Sequence, residues 1–220
     1  MCWNENISLN TFLFGTVTLI FIYYNNTYTQ YKTSEFKNHL FYYLLFSIII
    51  IQLIEFFLWK SIHTHNKWMN QIFSMIGLFV IRIVQPLIIL LLIPKKYFII
   101  QYLLFFCYVS LLIIVHVYKY FYNPIEFITT IDKSGHLYWK WFNLHNYEQI
   151  VFLIYNIIFL TLFLSYPYLA LFGGVTLLYS YFIYKKTFSS MWCWIGNSIL
   201  IYFLFNILFI MPYIEYNKIC

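Results

Sequence analysis

Long apolar runs separated by short polar segments dominate this chain. A helix that crosses a bilayer needs about 20 mainly apolar residues, and by that rule the pattern predicts seven transmembrane helices. Their ranges are 7–24, 39–59, 70–93, 97–118, 149–166, 168–184 and 193–213. The sequence therefore predicts an all-α integral membrane bundle, with residues 1–220 forming a single seven-helix transmembrane domain.

Two of these assignments rest on weaker patterns than the others. Polar residues, among them Asn10 and Thr16, dilute the first span. The break between the fifth and sixth spans depends on Ser165-Tyr166-Pro167, which is typical of a turn. Losing either assignment would change which connections share a side of the membrane.

Seven spans place alternate connections on the same side, and we call the side that holds the N-terminus face A. The long connection Lys119–Glu148 then lies at face A, together with every tryptophan of the chain: Trp3, Trp59, Trp68, Trp139, Trp141, Trp192 and Trp194. Membrane proteins usually carry tryptophan at both interfaces. The one-sided set predicts an aromatic surface at face A where a small-molecule ligand could bind.

Composition agrees with a membrane protein and excludes several other classes. The chain is 63% hydrophobic and 9% charged, whereas soluble domains carry about 25% charged residues. The net charge of +6 is spread over short connections, without the basic patch that nucleic-acid binding requires. The expected partner is the lipid bilayer, the expected location is an integral multi-pass one, and the oligomeric state stays open.

One carboxylate, Glu55, lies inside the second apolar run. An ionised carboxylate at the bilayer centre costs about 2.5–3.5 kcal/mol on insertion scales, so such residues usually face the protein interior and belong to a site. Glu55 is about four residues, or roughly 6 Å of helix rise, from the polar end of its run. We therefore expect it to be reachable from face A.

Four residues of metal-binding type converge at face A, although they are distant in sequence: Cys2, Glu55, His136 and Cys193. Two thiolates, an imidazole and a carboxylate form a tetrahedral zinc set, or three ligands with Glu55 as a hydrogen-bond acceptor or general base. The alternative is structural, with the cysteines packed as small apolar residues and Glu55 protonated and hydrogen-bonded to a neighbouring helix.

Arg82 is the other formal charge inside the predicted spans, and Glu55 is its natural partner because a pair costs less to bury than either charge alone. Depth opposes direct contact, since Arg82 lies about twelve residues, or roughly 18 Å, from face A. Water, Gln52 or Gln85 could bridge the two instead.

Four short motifs resemble those of an uncharacterised family of small polytopic membrane proteins found in bacteria and giant viruses. They are Met1-Cys2-Trp3, Gln52–Trp59 with its Gln-x-x-Glu-x-x-x-Trp pattern, Gly135–Tyr138, and Trp192-Cys193-Trp194. The chain has Asn4 where the family has serine. The resemblance transfers no activity, but it implies that the four candidate metal ligands belong to signature motifs. The residue composition favours the viral branch of that family, and a viral protein would be expected in a host-cell or virion membrane.

Two kinds of function remain open at this level. One is a membrane-embedded metalloenzyme or redox protein whose substrate enters at face A. The other is a non-enzymatic component, such as a metal sensor, a small-molecule binder or a viral envelope protein, with a structural polar cluster. Transport is a third and weaker hypothesis.

Overall fold

A computed structural model describes residues 4–122, 124–142 and 147–219, and most of these residues are helical. The helices are α1 Glu5–Tyr28, α2 His39–His63, α3 Lys67–Phe79, α4 Gln85–Leu92, α5 Phe98–Tyr122, α6 Tyr147–Leu160, α7 Pro167–Tyr184, α8 Phe188–Gly196, α9 Ile199–Phe205 and α10 Met211–Ile219. Two short strands, β1 Thr130–Ile131 and β2 Leu137–Tyr138, form an antiparallel hairpin.

Polar residues set the starts of the first three helices. The side chains of Asn4, Asn38 and Asn66 accept hydrogen bonds from backbone N–H groups at the N-termini of α1, α2 and α3. These bonds satisfy donors that have no partner within the helix. Pro167 occupies the first turn of α7, where its missing N–H costs nothing.

Helices α3 and α4 form one continuous rod, joined by a π-helical turn over Val80–Val84. The Gln85 N–H donates to the Val80 carbonyl, five residues back. Pro86 follows at once, and because proline has no N–H it cannot donate the bond that an α-helix would need at that position. A second π turn, Asn206–Ile210, likewise ends two residues before a proline, Pro212.

The chain reverses direction between α7 and α8. The Trp192 indole N–H lies 3.1 Å from the Gly173 carbonyl oxygen. In a straight helix, residues 19 positions apart would be separated by about 28 Å. Lys185, with φ of 45°, begins the turn that allows this hairpin.

The connections gather at two opposite ends of the bundle. At the end predicted as face A, His63 lies 3.5 Å from Glu5, and the His136 and Tyr184 rings lie 5.4 Å apart. At the other end, the Ser165 hydroxyl donates to the Leu92 carbonyl over 3.2 Å. Successive helical segments therefore run in alternating directions.

The connection over residues 124–142 packs into the bundle rather than over it. The Asn70 side chain on α3 holds Thr129 by two bonds, donating to its carbonyl at 3.0 Å and accepting from its N–H at 2.8 Å. Trp139, Trp141 and Phe142 are buried. This segment is a plug that closes the face A end between the helices.

The prediction of several apolar membrane-spanning helices is confirmed, while the number seven is not settled by length and composition. Within the part of the chain that the structure describes, five segments are long and apolar enough to cross a membrane: Glu5–Tyr28, His39–His63, Lys67–Leu92, Lys95–Tyr122 and Pro167–Asn217. Glu148–Leu164 is a shorter apolar helix. The last predicted span, 193–213, was placed too late, because its helix begins at Phe188 and breaks after Gly196.

Candidate functional site

Glu55 is buried near the face A end, with 4% of its surface exposed. The Ser190 hydroxyl of α8 donates to the Glu55 Oε1 over 2.6 Å. This bond joins α8 to α2 through two residues that are 135 positions apart in sequence. Beside this bond is a cavity of about 10 Å³ that is lined by Glu55, Ser190 and His136. That volume is about what one water molecule requires, and a single metal ion is no larger.

The β1–β2 hairpin brings His136 to this cavity. The Asp132 carboxylate accepts from the Ser134 N–H over 3.2 Å, and Gly135 adopts a φ of 81° that L-residues avoid. The Ser134 N–H also lowers the pKa of Asp132. Burial lowers the pKa of His136 and so favours the neutral imidazole, the form that binds metals.

The other two predicted ligands have different outcomes. Cys193 follows Ser190 by three residues on α8, so both lie on one side of that helix; it is buried and lines a second, larger cavity. Cys2 lies outside the described residues. Within residues 4–122, 124–142 and 147–219, no group of three or more His, Cys, Asp or Glu side chains is arranged to hold a metal. The four-ligand zinc site thus stays a prediction.

A second cluster, made of charged side chains, joins the π-helical turn Val80–Val84 to α5 and α6. Glu148 is fully buried, and its Oε2 lies 3.3 Å from Arg82, which is also fully buried. Its Oε1 lies 3.0 Å from Lys119 and 3.7 Å from His116 Nε2. Lys119 also contacts the plug, because its Nζ lies 3.0 Å from the Glu126 carboxylate. The Glu148 carboxylate therefore lies within 4 Å of three basic side chains.

The tautomer of His116 follows from its other contact. Its Nδ1 lies 2.9 Å from the Leu112 carbonyl oxygen, and a carbonyl only accepts, so Nδ1 carries the hydrogen. A neutral ring would then turn the Nε2 lone pair toward the Glu148 carboxylate. A hydrogen bond between these two groups requires an additional proton.

Arg82 does not pair directly with Glu55, as the difference in their depths indicated. The Arg82 guanidinium is paired with Glu148, and it also lies 4.1 Å above the ring of Phe142 from the plug. Glu55 is bonded to Ser190 instead. The plug and the start of α6 enter the bundle and bring Phe142 and Glu148 to Arg82, partners that the sequence did not predict.

Trp3 lies outside the described residues, and the six tryptophans within them do not form one aromatic surface. Trp59 and Trp194 line the Glu55 cavity, whereas Trp192 lines the larger cavity. Trp139 stacks on Trp141, with ring centres 5.2 Å apart. Trp68 is 74% exposed and behaves as an ordinary interfacial residue.

Sequence reasoning missed Glu148, His116 and Lys119 as parts of one site. Glu148 and Lys119 were assigned to the polar connection, because a charge ends an apolar run. The sequence did contain one indication of the cluster: basic Lys119 directly follows the fourth predicted span, and acidic Glu148 directly precedes the fifth.

Comparison of the chain with protein-family models, with curated proteins and with solved structures gives no match. The resemblance in the four short motifs therefore stays a prediction, and the functional argument rests on the site.

Proposed function

We propose that this chain is a seven-crossing membrane protein that binds a single small ligand, most simply a zinc ion, in the Glu55 cavity. The observation that carries the proposal is that Glu55 and His136, from a helix and from a distant hairpin, line one cavity of about the volume of a water molecule. Cys193, one turn after Ser190 on α8, and Cys2, which follows the initiating residue, would complete the ligand set.

Chemistry supports zinc over harder cations. Thiolate and imidazole ligands suit zinc, and carboxylate oxygen is a common further ligand. A set of four protein ligands makes a closed, structural site, while three ligands with Glu55 as general base leave a position for water or substrate. The proposal does not assign a reaction.

The test is metal analysis of protein purified in detergent. The proposal predicts about one zinc per chain in the unmodified protein and a large loss in Glu55→Gln and His136→Asn. Cys107→Ser and His65→Asn, which change exposed residues, are the matched controls and should keep the metal. Metal-free protein that keeps its fold in chelator would refute the zinc site.

A non-enzymatic membrane component with a structural polar cluster is the second candidate, and the Ser190–Glu55 hydrogen bond favours it. In that case Ser190→Ala should lower stability with or without chelator. If zinc occupies the cavity, chelator alone should remove most of the stability that the polar cluster contributes to the unmodified protein.

The reversal between α7 and α8, together with α6 as a short span, supports a topology of seven crossings. The N-terminus and residues 124–142 should then lie on one side of the membrane, and Cys220 on the other. Labelling by an impermeant maleimide of Cys220 and of a cysteine introduced at exposed Lys133 tests this. Labelling of both from the same side would refute the seven-span topology.

A further inference from the structure

The larger cavity lies at the centre of the membrane-spanning helices. Side chains of α2, α4, α6, α7 and α8 line it, and its volume is about 60 Å³, compared with about 10 Å³ for the Glu55 cavity. Helix α6 packs mainly on α4 and α5, whereas α7 packs mainly on α8. Phe159 of α6 and Gly173 of α7 both line the cavity, which therefore lies between these two helices.

The polar groups in its wall already have partners within the protein. The Trp192 N–H donates to the Gly173 carbonyl and to the Thr176 hydroxyl over 3.1 and 3.2 Å. The Tyr155 hydroxyl donates to Gln85 over 3.3 Å, and Gln85 donates to a backbone carbonyl of α2. None of the described lining residues is charged. The wall therefore offers apolar contact and little hydrogen bonding.

The surroundings of the cavity are apolar as well. Leu160 on α6, and Leu171 and Val175 on α7, are more than half exposed on the outer surface. In a membrane this surface contacts lipid chains rather than water. We propose that the cavity binds one hydrocarbon chain of a membrane lipid, inserted between α6 and α7.

Two adjacent glycines provide a matched pair for testing this site. A Cβ on Gly173 would overlap the ring of Phe159, which itself lines the cavity, so the ring would have to move. A Cβ on Gly174 would meet nothing within 4 Å. Gly173→Ala should therefore change the cavity, while Gly174→Ala should leave it intact, and both variants should gain the same helix propensity from alanine.

Two cysteines provide the readout, since Cys193 lines the cavity and Cys107 is exposed on α5. The assay uses protein with Cys2→Ser and Cys220→Ser, held in a steroid-based detergent with chelator present so that metal cannot protect the thiol. N-ethylmaleimide is added with increasing dioleoyl phosphatidylcholine. At a lipid concentration ten times Kd, occupancy should slow modification of Cys193 by about tenfold, with Cys107 unchanged.

The variants complete the test. Gly173→Ala should weaken the protection of Cys193, and Gly174→Ala should retain it. Equal slowing at Cys193 and Cys107 would overturn the proposal, because it would report only dilution of the reagent into lipid. A Cys193 rate that does not change with lipid would also overturn it. If Gly173→Ala fails to fold, the lipid titration of the protein that keeps both Gly173 and Gly174 still tests the proposal.

Discussion

Removing the carboxylate of Glu148 should destabilise the protein far more than removing the guanidinium of Arg82. Glu148 is the carboxylate bonded to fully buried Arg82, so Glu148→Gln leaves a buried cation without a counter-charge. Breaking a buried pair in this way typically costs about 3–5 kcal/mol. In Arg82→Met, by contrast, Glu148 still has Lys119 at 3.0 Å.

The loss in Arg82→Met should be close to that of one charged hydrogen bond, about 1.5–3 kcal/mol. Combining Arg82→Met with Glu148→Gln should recover part of the loss caused by Glu148→Gln, because the stranded cation is gone and Lys119 keeps Glu126 at 3.0 Å. Glu126→Gln is the matched control, since it removes a partner of the same lysine at a partly exposed site. Its cost should stay below about 1 kcal/mol.

The assay is reversible unfolding in mixed micelles of dodecyl maltoside and dodecyl sulfate, followed by circular dichroism. The expected order of cost is Glu148→Gln, then Arg82→Met, then Glu126→Gln. Equal losses for the Arg82 and Glu148 variants, or additive losses in the double variant, would show that the cluster does not act through the charge balance described.

Three further predictions concern the plug and the metal site. Asn70→Ala removes both bonds to Thr129 and should cost about 1–3 kcal/mol in the same assay, because buried polar groups lose their partners; an unchanged unfolding midpoint would contradict this. Gly135→Ala should cost about 1–2 kcal/mol, since its φ of 81° disfavours a Cβ, whereas Gly174→Ala should cost nothing, because its Cβ would meet nothing within 4 Å and alanine has the higher helix propensity. Zinc affinity should fall as pH falls, because thiol and imidazole ligands must lose protons to bind; pH-independent affinity in a zinc titration would exclude His136 and Cys193 as ligands.

The helices could be predicted because crossing a membrane is a local property of about 20 residues. The predicted start at 39 for α2 coincides with its observed first residue, His39, for this reason. The convergence of Glu55 and His136 on one cavity also followed from the predicted side of the membrane. The partners of Arg82 could not be found in this way, because they depend on a connection that packs into the bundle, and no local pattern specifies the depth at which a loop packs.

The pairing of Arg82 with Glu148 also has a consequence for how the protein is made. The two residues are 66 positions apart, and synthesis at about 5–20 residues per second separates their appearance by about 3–13 s. During that interval the α3–α4 rod presents a guanidinium with no carboxylate from α6 to receive it. We therefore expect this rod to stay at the insertion machinery until α6 arrives, so that the two segments enter the lipid together.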